Sequence, residues 1–188
     1  MASSSYKLCP GWRPLAKCVA LCSRAEFERD QFRFQVLDRK VNGDASEAAL
    51  LKFAEVSVGE ILEYRDKNKK LAEIPFNSTN KYQVSIHEIE NQSRALLVMK
   101  GAPETVLEMC STIFTGGREL PLTDEHKREI NQVIVTLGGL GERVLGFCDL
   151  HLSYNDYIFK YLFEKEEENF PIRNLRFLGL ISLIDPPR

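Results

Sequence analysis

The chain has 188 residues, 44% hydrophobic and 28% charged, with 25 Lys and Arg against 27 Asp and Glu, which suits one globular domain. Its formal net charge of -2 lacks the broad basic field that unspecific nucleic-acid binding requires, so no nucleic-acid partner is expected. The longest apolar run, ending at Ile184, is far short of the roughly 20 residues that cross a bilayer, and Met1 to Ser5 lacks the features of a secretion signal, so the chain reads as soluble.

In chain order, Leu15, Cys18, Val19 and Cys22 recur at helical spacing and predict a helix over Pro14 to Cys22 with both thiols in its buried face. With Cys9, Cys110 and Cys148 they make five cysteines, an odd number without a C-x-x-C pair, which argues against a disulfide framework or a thiolate zinc site. The charged stretch from Arg24 to Lys40, carrying Phe27, Phe32 and Phe34, reads as irregular chain around a short element. Asp44 and Glu47 have the spacing of a capping box before Ala48, Leu51, Ala54 and Val58, and Ser57 with Glu60 repeats it before Ile61, Leu62 and Tyr64. A pair of helices is expected there.

Leu71 to Phe76, Tyr82 to Ile89 and Arg94 to Met99 read as strands of an antiparallel meander. Pro103 suits the first turn of a helix whose buried face would hold Val106, Leu107, Cys110 and Ile113. Gly116-Gly117 makes a turn. Thr123 caps a further helix bearing Ile130, Val133, Ile134 and Leu137, stopped at Gly138-Gly139. Arg143 to Leu150 and Leu175 to Ile184 are two more strands, the second so apolar that burial on both faces is expected. Glu164 to Glu168 reads as an acidic surface excursion, and the double proline of Asp185-Pro186-Pro187-Arg188 as an exit or hinge. The elements point to an α/β protein of the α+β type, an antiparallel, mostly meandering sheet of about six to seven strands flanked by helices.

Phosphate loops of the G-x-x-x-x-G-K-[ST] type are absent, and Gly138, Gly139 and Gly141 follow a helix where a dinucleotide fingerprint would follow a strand. His87, His126 and His151 lie far apart in sequence and suggest no metal site. Three short segments carry the chemistry. Phe76 precedes a turn and Lys81, and an aromatic ring there can stack on a base for roughly 1 to 3 kcal/mol while Glu47, Lys81 and Gln83 offer donors and acceptors to its edge; taken alone, such a ring is more often core. Lys100 with Gly101 arrives at the mouth of a helix, where N-H groups favour an anion and glycine allows close approach; the bland reading is a surface charge and a plain connection. Arg143 opens the following strand and either clasps a phosphate or pairs with a neighbouring acid such as Glu142.

Gly43-Asp44-Ala45-Ser46-Glu47, Ile74-Pro75-Phe76-Asn77-Ser78, Lys100-Gly101-Ala102-Pro103-Glu104, Gly141-Glu142-Arg143 and Asp185-Pro186-Pro187-Arg188 occur in that order. In this the chain resembles the nucleotide-binding domain of P-type cation-transporting ATPases, from about Leu15 to Arg188, and the sodium/potassium and proton/potassium pump α subunits more than calcium pumps. The resemblance implies an antiparallel sheet flanked by helices that holds the adenine of ATP while the γ-phosphate reaches an aspartate elsewhere. It implies that Phe76 stacks on adenine with Glu47, Lys81 and Gln83 at its edge, Ser78 as a polar neighbour, Lys100 and Gly101 as the pocket floor and Arg143 reaching the phosphates. Asp185, Pro186, Pro187 and Arg188 would form the hinge to a phosphorylation domain.

The chain departs from that family in holding no Asp-Lys-Thr-Gly or Thr-Gly-Asp-Gly sequence, and in placing Thr105 where such pumps usually carry arginine. An excised domain is therefore expected, divided into residues 1–11 as an added or flexible lead-in, 12–184 as the nucleotide-binding domain and 185–188 as hinge. It would bind ATP without turning it over, hold no catalytic residue and no metal, and meet Mg2+ only in the full-length enzyme. Its partners would be ATP, the phosphorylation and actuator domains of a parent membrane pump and, through other parts, a β subunit, on the cytoplasmic side of the plasma membrane. Sodium/potassium exchange is the leading expectation, proton/potassium exchange the alternative, and a non-catalytic protein-docking module the competing reading from another class.

Overall fold

The computed structural model describes residues 7–90, 92, 94–153 and 170–184. The lead helix α1 (Trp12–Leu21) buries Cys18 and Val19 as the apolar spacing predicts, with Cys22 buried just past its end, and Leu21 is buried as well. A two-residue ribbon follows, β1 (Glu26–Phe27) as a short element inside the stretch Arg24 to Lys40 and β2 (Val41–Asn42) just beyond it. Helix α2 (Ala45–Ser57) begins where Asp44 accepts the Glu47 N-H at 2.9 Å. The reciprocal half of the capping box is missing, because the Glu47 carboxylate is engaged elsewhere. The second predicted cap is not used: Ser57 closes α2, and α3 (Ile61–Lys67) opens on Glu60 in the left-handed region, at φ 50°. There the Glu55 carboxylate accepts the Ile61 N-H at 3.0 Å, which satisfies one of the orphan donors at the start of α3.

The remaining strands are β3 (Lys70–Ile74), β4 (Tyr82–Glu88), β5 (Arg94–Gly101), β6 (Cys110–Thr115), β7 (Arg118–Pro121), β8 (Arg143–Ser153) and β9 (Leu175–Leu183). They form a seven-stranded sheet in the order β3-β4-β5-β8-β9-β6-β7. Every neighbouring pair is antiparallel except β6 and β9, which makes the sheet mixed. Helix α4 (Pro103–Met109) stops before Cys110, and the run Cys-Ser-Thr-Ile-Phe-Thr extends as β6 where helix was expected. Three β-branched residues and a phenylalanine in six positions favour the pleated conformation, and Gly116 and Gly117, at φ 57° and 78°, close the hairpin to β7. Helix α5 (Asp124–Gly139) begins at its Thr123 cap and lays Ile130 and Ile134 against the sheet.

Both faces of the sheet are covered. Met99, Val106, Leu107, Cys148 and Phe177 pack on the α4 side, and Leu21, Leu50, Leu51, Val98 and Phe147 on the side of α1 and α2. Strand periodicity then sorts the polar residues: Tyr82, Val84 and Ile86 of β4 enter the α4-side core, so Gln83, Ser85 and His87 point to the opposite face, as Lys100 does beyond Leu96 and Val98. Expected burial of β9 on both faces holds for its first half only. From Gly179 onward it pairs with the start of β8, whose Val144 and Leu145 border an open cleft. No helix of the described residues is long and apolar enough to cross a membrane. The acidic run Glu164 to Glu168 and the hinge Asp185, Pro186, Pro187 and Arg188 lie outside the described residues.

Candidate functional site

Lys100 and Gln83 are directly opposed across β4 and β5, on the face that looks towards α2. The Lys100 ammonium meets the Glu47 carboxylate at 2.6 Å, both side chains about nine-tenths buried. The same carboxylate accepts the Arg24 backbone N-H at 3.2 and 3.3 Å. Gln83 donates from Nε2 to Glu73 at 3.0 Å, and Glu73 also meets Arg24 Nε and Lys70 Nζ, each at 3.3 Å. Each buried charge here has a partner, as a low-dielectric setting requires. Glu47, Gln83 and Lys100 line a pocket of about 270 Å³ with Ser46, Phe76 and Arg143.

Beneath this pocket Gly101 lies buried opposite Tyr82 and Gly146. A Cβ there would stand 2.5 Å from the Lys81 carbonyl oxygen and 2.9 Å from the Tyr82 Cα, so only glycine fits. That close approach serves a turn. Lys81 adopts φ 60°, its N-H donates to the Asn77 carbonyl at 2.9 Å, and its own carbonyl accepts the Ala102 N-H at 2.9 Å. A left-handed lysine costs on the order of 1 kcal/mol and is held there by both bonds. The turn displays Phe76, Ser78 and Lys81 on the surface, with Phe76 59% exposed.

Phe76, Ser78, Lys81, Glu104, Gly138 and Arg143 border a second, wider space of about 570 Å³. Phe76, Arg143 and Leu145 belong to the walls of both. The two spaces are thus lobes of one cleft, meeting at an exposed aromatic ring. Arg143 spans it, donating from Nη1 to Ser46 Oγ in the first turn of α2 at 3.0 Å.

Of the residues singled out in the sequence, Glu47, Gln83 and Lys100 line the narrow lobe, Ser78 and Lys81 the wide one, and Phe76 and Arg143 both. Gly101 lines neither lobe. Phe76 is a surface ring and Lys100 a buried ion-paired one, the reverse of the plain readings each residue admitted alone. Arg24 and Glu73 were missed, for they are brought to Glu47 and Gln83 only by the fold and carry no local signal. Ser46 was missed although it lies inside a quoted motif. Buried thiols contribute no nucleophile: burial pushes Cys22 up to about 11 and raises Cys18 and Cys148 as well.

The family described as P-type ATPase, cytoplasmic domain N, matches residues 11–188. The chain is 60% identical over 178 residues to the sodium/potassium-transporting ATPase subunit alpha of Hydra vulgaris, covering 94% of this chain and 17% of that protein. It is 55% identical over 183 residues to subunit alpha-A of the same kind of ATPase from Artemia franciscana, covering 97% and 18%. With potassium-transporting ATPase alpha chain 1 of Xenopus laevis it shares 54% over 179 residues, 94% of this chain and 17% of that one. The chain therefore spans less than a fifth of the length of these relatives.

Proposed function

Because the chain belongs to the family of cytoplasmic N domains of P-type ATPases, we propose that its two-lobed cleft binds ATP, with adenine on Phe76 and the phosphates running towards Lys81 and Arg143. The observation that carries this reading is the exposed ring of Phe76 at the junction of the lobes. A large aromatic side chain left in water beside a recess is a ready stacking surface. On one side of it, Glu47 and the Gln83 amide oxygen can accept from the exocyclic amine of adenine. On the other, Lys81 and Arg143 supply the positive field that a triphosphate needs.

Stacking at roughly 1 to 3 kcal/mol and a few charge-assisted hydrogen bonds must offset the loss of translational and rotational freedom. A net of about 4 kcal/mol, a dissociation constant on the order of a millimolar, is expected. No group of three metal-ligating side chains forms among the described residues, and the carboxylates bordering the wide lobe are Glu104 and Glu142. Mg2+ is read as bound in the parent protein only, between the phosphates of ATP and carboxylates of another domain.

In the parent protein the domain would present the γ-phosphate to an aspartate of a phosphorylation domain, where catalysis is mostly positioning and charge stabilisation. The parent is read as an ion-transporting ATPase of the plasma membrane whose other parts meet an actuator domain and a β subunit. Sodium/potassium exchange is our reading of its transport. Relatives named for sodium/potassium and for potassium transport overlap at 54% identity, so the proposal rests on the shared ATPase activity, with proton/potassium exchange as the alternative. The 188-residue chain alone should release no phosphate from ATP.

ATP titration of the chain and of Phe76→Ala, followed by amide shifts, tests the reading. Weakened binding in a variant whose remaining spectrum is unchanged supports it. Unchanged ATP affinity, or no ATP binding at all, would favour a protein-docking module.

A further inference from the structure

A separate cavity of about 340 Å³ is lined by Ser23, Arg24, Glu26, Arg65, Lys70 and His87. None of these borders either lobe of the nucleotide cleft. Its lining carries the cations Arg24, Arg65 and Lys70 against Glu26, and Glu73 just outside it meets Arg24 and Lys70, which leaves one cation in excess. Arg65 is the least compensated. Its Nε and Nη1 donate at 2.7 Å to the carbonyls of Ala20 and Ala25, while Nη2 is buried without a partner. Among the described residues no carboxylate lies within ion-pair distance of this guanidinium. Burial of a cation without a contact ion pair is costly, and desolvation draws the Arg65 pKa down from its usual value although Glu26 and Glu47 at longer range oppose it.

Other donors are at hand. Ser23 is buried, and its oxygen accepts the Ala25 N-H at 3.1 Å, which leaves the hydroxyl proton to give. Lys70 and Arg24 each spend one contact on Glu73 at 3.3 Å and retain further N-H groups. His87 adds no charge. Its Nδ1 donates to the Asn68 carbonyl at 3.0 Å and its Nε2 lies 2.9 Å from the Ser85 hydroxyl, the pattern of a neutral ring. Hydrogen-bond donors thus outnumber acceptors, and size and sign suit a small polyoxygenated anion.

We propose that this cavity is a second binding site, for a small oxyanion of the phosphate class, held by Ser23 Oγ, Lys70 Nζ and the guanidinium groups of Arg24 and Arg65. Glu26 and Glu73 together still fall one charge short of the three cations. The site needs nothing from the nucleotide reading, since it shares no lining residue with that cleft.

Inorganic phosphate is the probe. The 188-residue chain is titrated with it without nucleotide, at neutral pH and at ionic strength held constant with chloride, while amide and arginine side-chain resonances are followed by NMR. Saturable shifts are expected at Ser23, Arg65 Nε-H and His87, described by one dissociation constant, with sulfate competing. Lys70→Gln, a change at an exposed strand end, should weaken that binding about fivefold, the loss of one partly exposed charge contact. Shifts confined to Lys81, Gly101 and Arg143 would mean that phosphate enters the nucleotide cleft alone and would overturn the proposal. So would an absence of saturation, or an identical titration in Lys70→Gln. Ser23→Ala gives an independent check, with the same weakening expected and an unchanged titration counting against the site.

Discussion

The two lobes of the cleft differ in how their charges are held. In the narrow lobe Lys100 and Glu47 are buried against each other at 2.6 Å, and Glu47 is further fixed by the Arg24 N-H. In the wide lobe Lys81 and Arg143 are exposed, and Phe76 is 59% so. Groups of the first kind are part of the folded core, and changing them disturbs stability and binding together. Groups of the second kind leave the fold nearly indifferent, so their effect on a ligand can be read cleanly. The same ATP molecule would thus be held at one end by the protein's interior and at the other by its surface.

The sharpest way to break that contrast is to truncate Lys100. Lys100→Ala leaves the Glu47 carboxylate buried and unpaired, and should destabilise the chain by about 3 to 5 kcal/mol in denaturant unfolding. A loss below about 1 kcal/mol would mean that the narrow lobe is as solvated as the wide one.

Next in size is a pH effect on the same face of the sheet. Burial holds His87 down at about 4, against an ordinary value of 6.5. Between those values the unfolded chain takes a proton that the folded one refuses. Stability is therefore undiminished by this group above pH 6.5 and declines as pH falls, by about 3 kcal/mol once below 4. Unfolding measured across this range should show the decline, and His87→Gln should flatten part of it. An equally steep profile in the variant would contradict a neutral, buried His87.

Phe76→Ala should reduce ATP affinity by roughly 1 to 3 kcal/mol while shifting stability by less than about 0.5 kcal/mol. Arg143→Gln should cost about 1 kcal/mol of binding, more at low salt than at high, again with stability preserved. A stability loss in either variant comparable with that of Lys100→Ala would erase the distinction between lobes. Smallest of all is the metal effect: ATP affinities with and without Mg2+ should agree within about twofold, below 0.5 kcal/mol.

Much of the site was legible in the sequence because its residues sit beside local signals. The spacing of Asp44 and Glu47 marked the start of α2, where Asp44 does the capping, while the Glu47 carboxylate serves Lys100 and Arg24, which no local signal gave. Strands β4, β5 and β8 were legible from apolar residues bounded by turn chemistry. Strand β6 was not, because Cys110 and Ile113 happen to continue the helical spacing of Val106, and the β-branched content of that run proved the stronger influence. The Ser57 cap is not used because α2 runs on through that residue, and Glu55 serves the first N-H of α3. Arg24 and Glu73 could not be read locally, for each acquires its role only when the chain brings α1 against β3 and β4.

The most direct test of the central claim is an intermolecular NOE experiment on the chain with ATP, reading which aromatic ring lies against adenine. Contacts from the adenine H2 and H8 protons to the ring of Phe76 are predicted. A competing aromatic recess exists, the cavity of about 440 Å³ beside Trp12 and Tyr64. Contacts to those two rings, with the Phe76 resonances unmoved by ATP, would contradict the account.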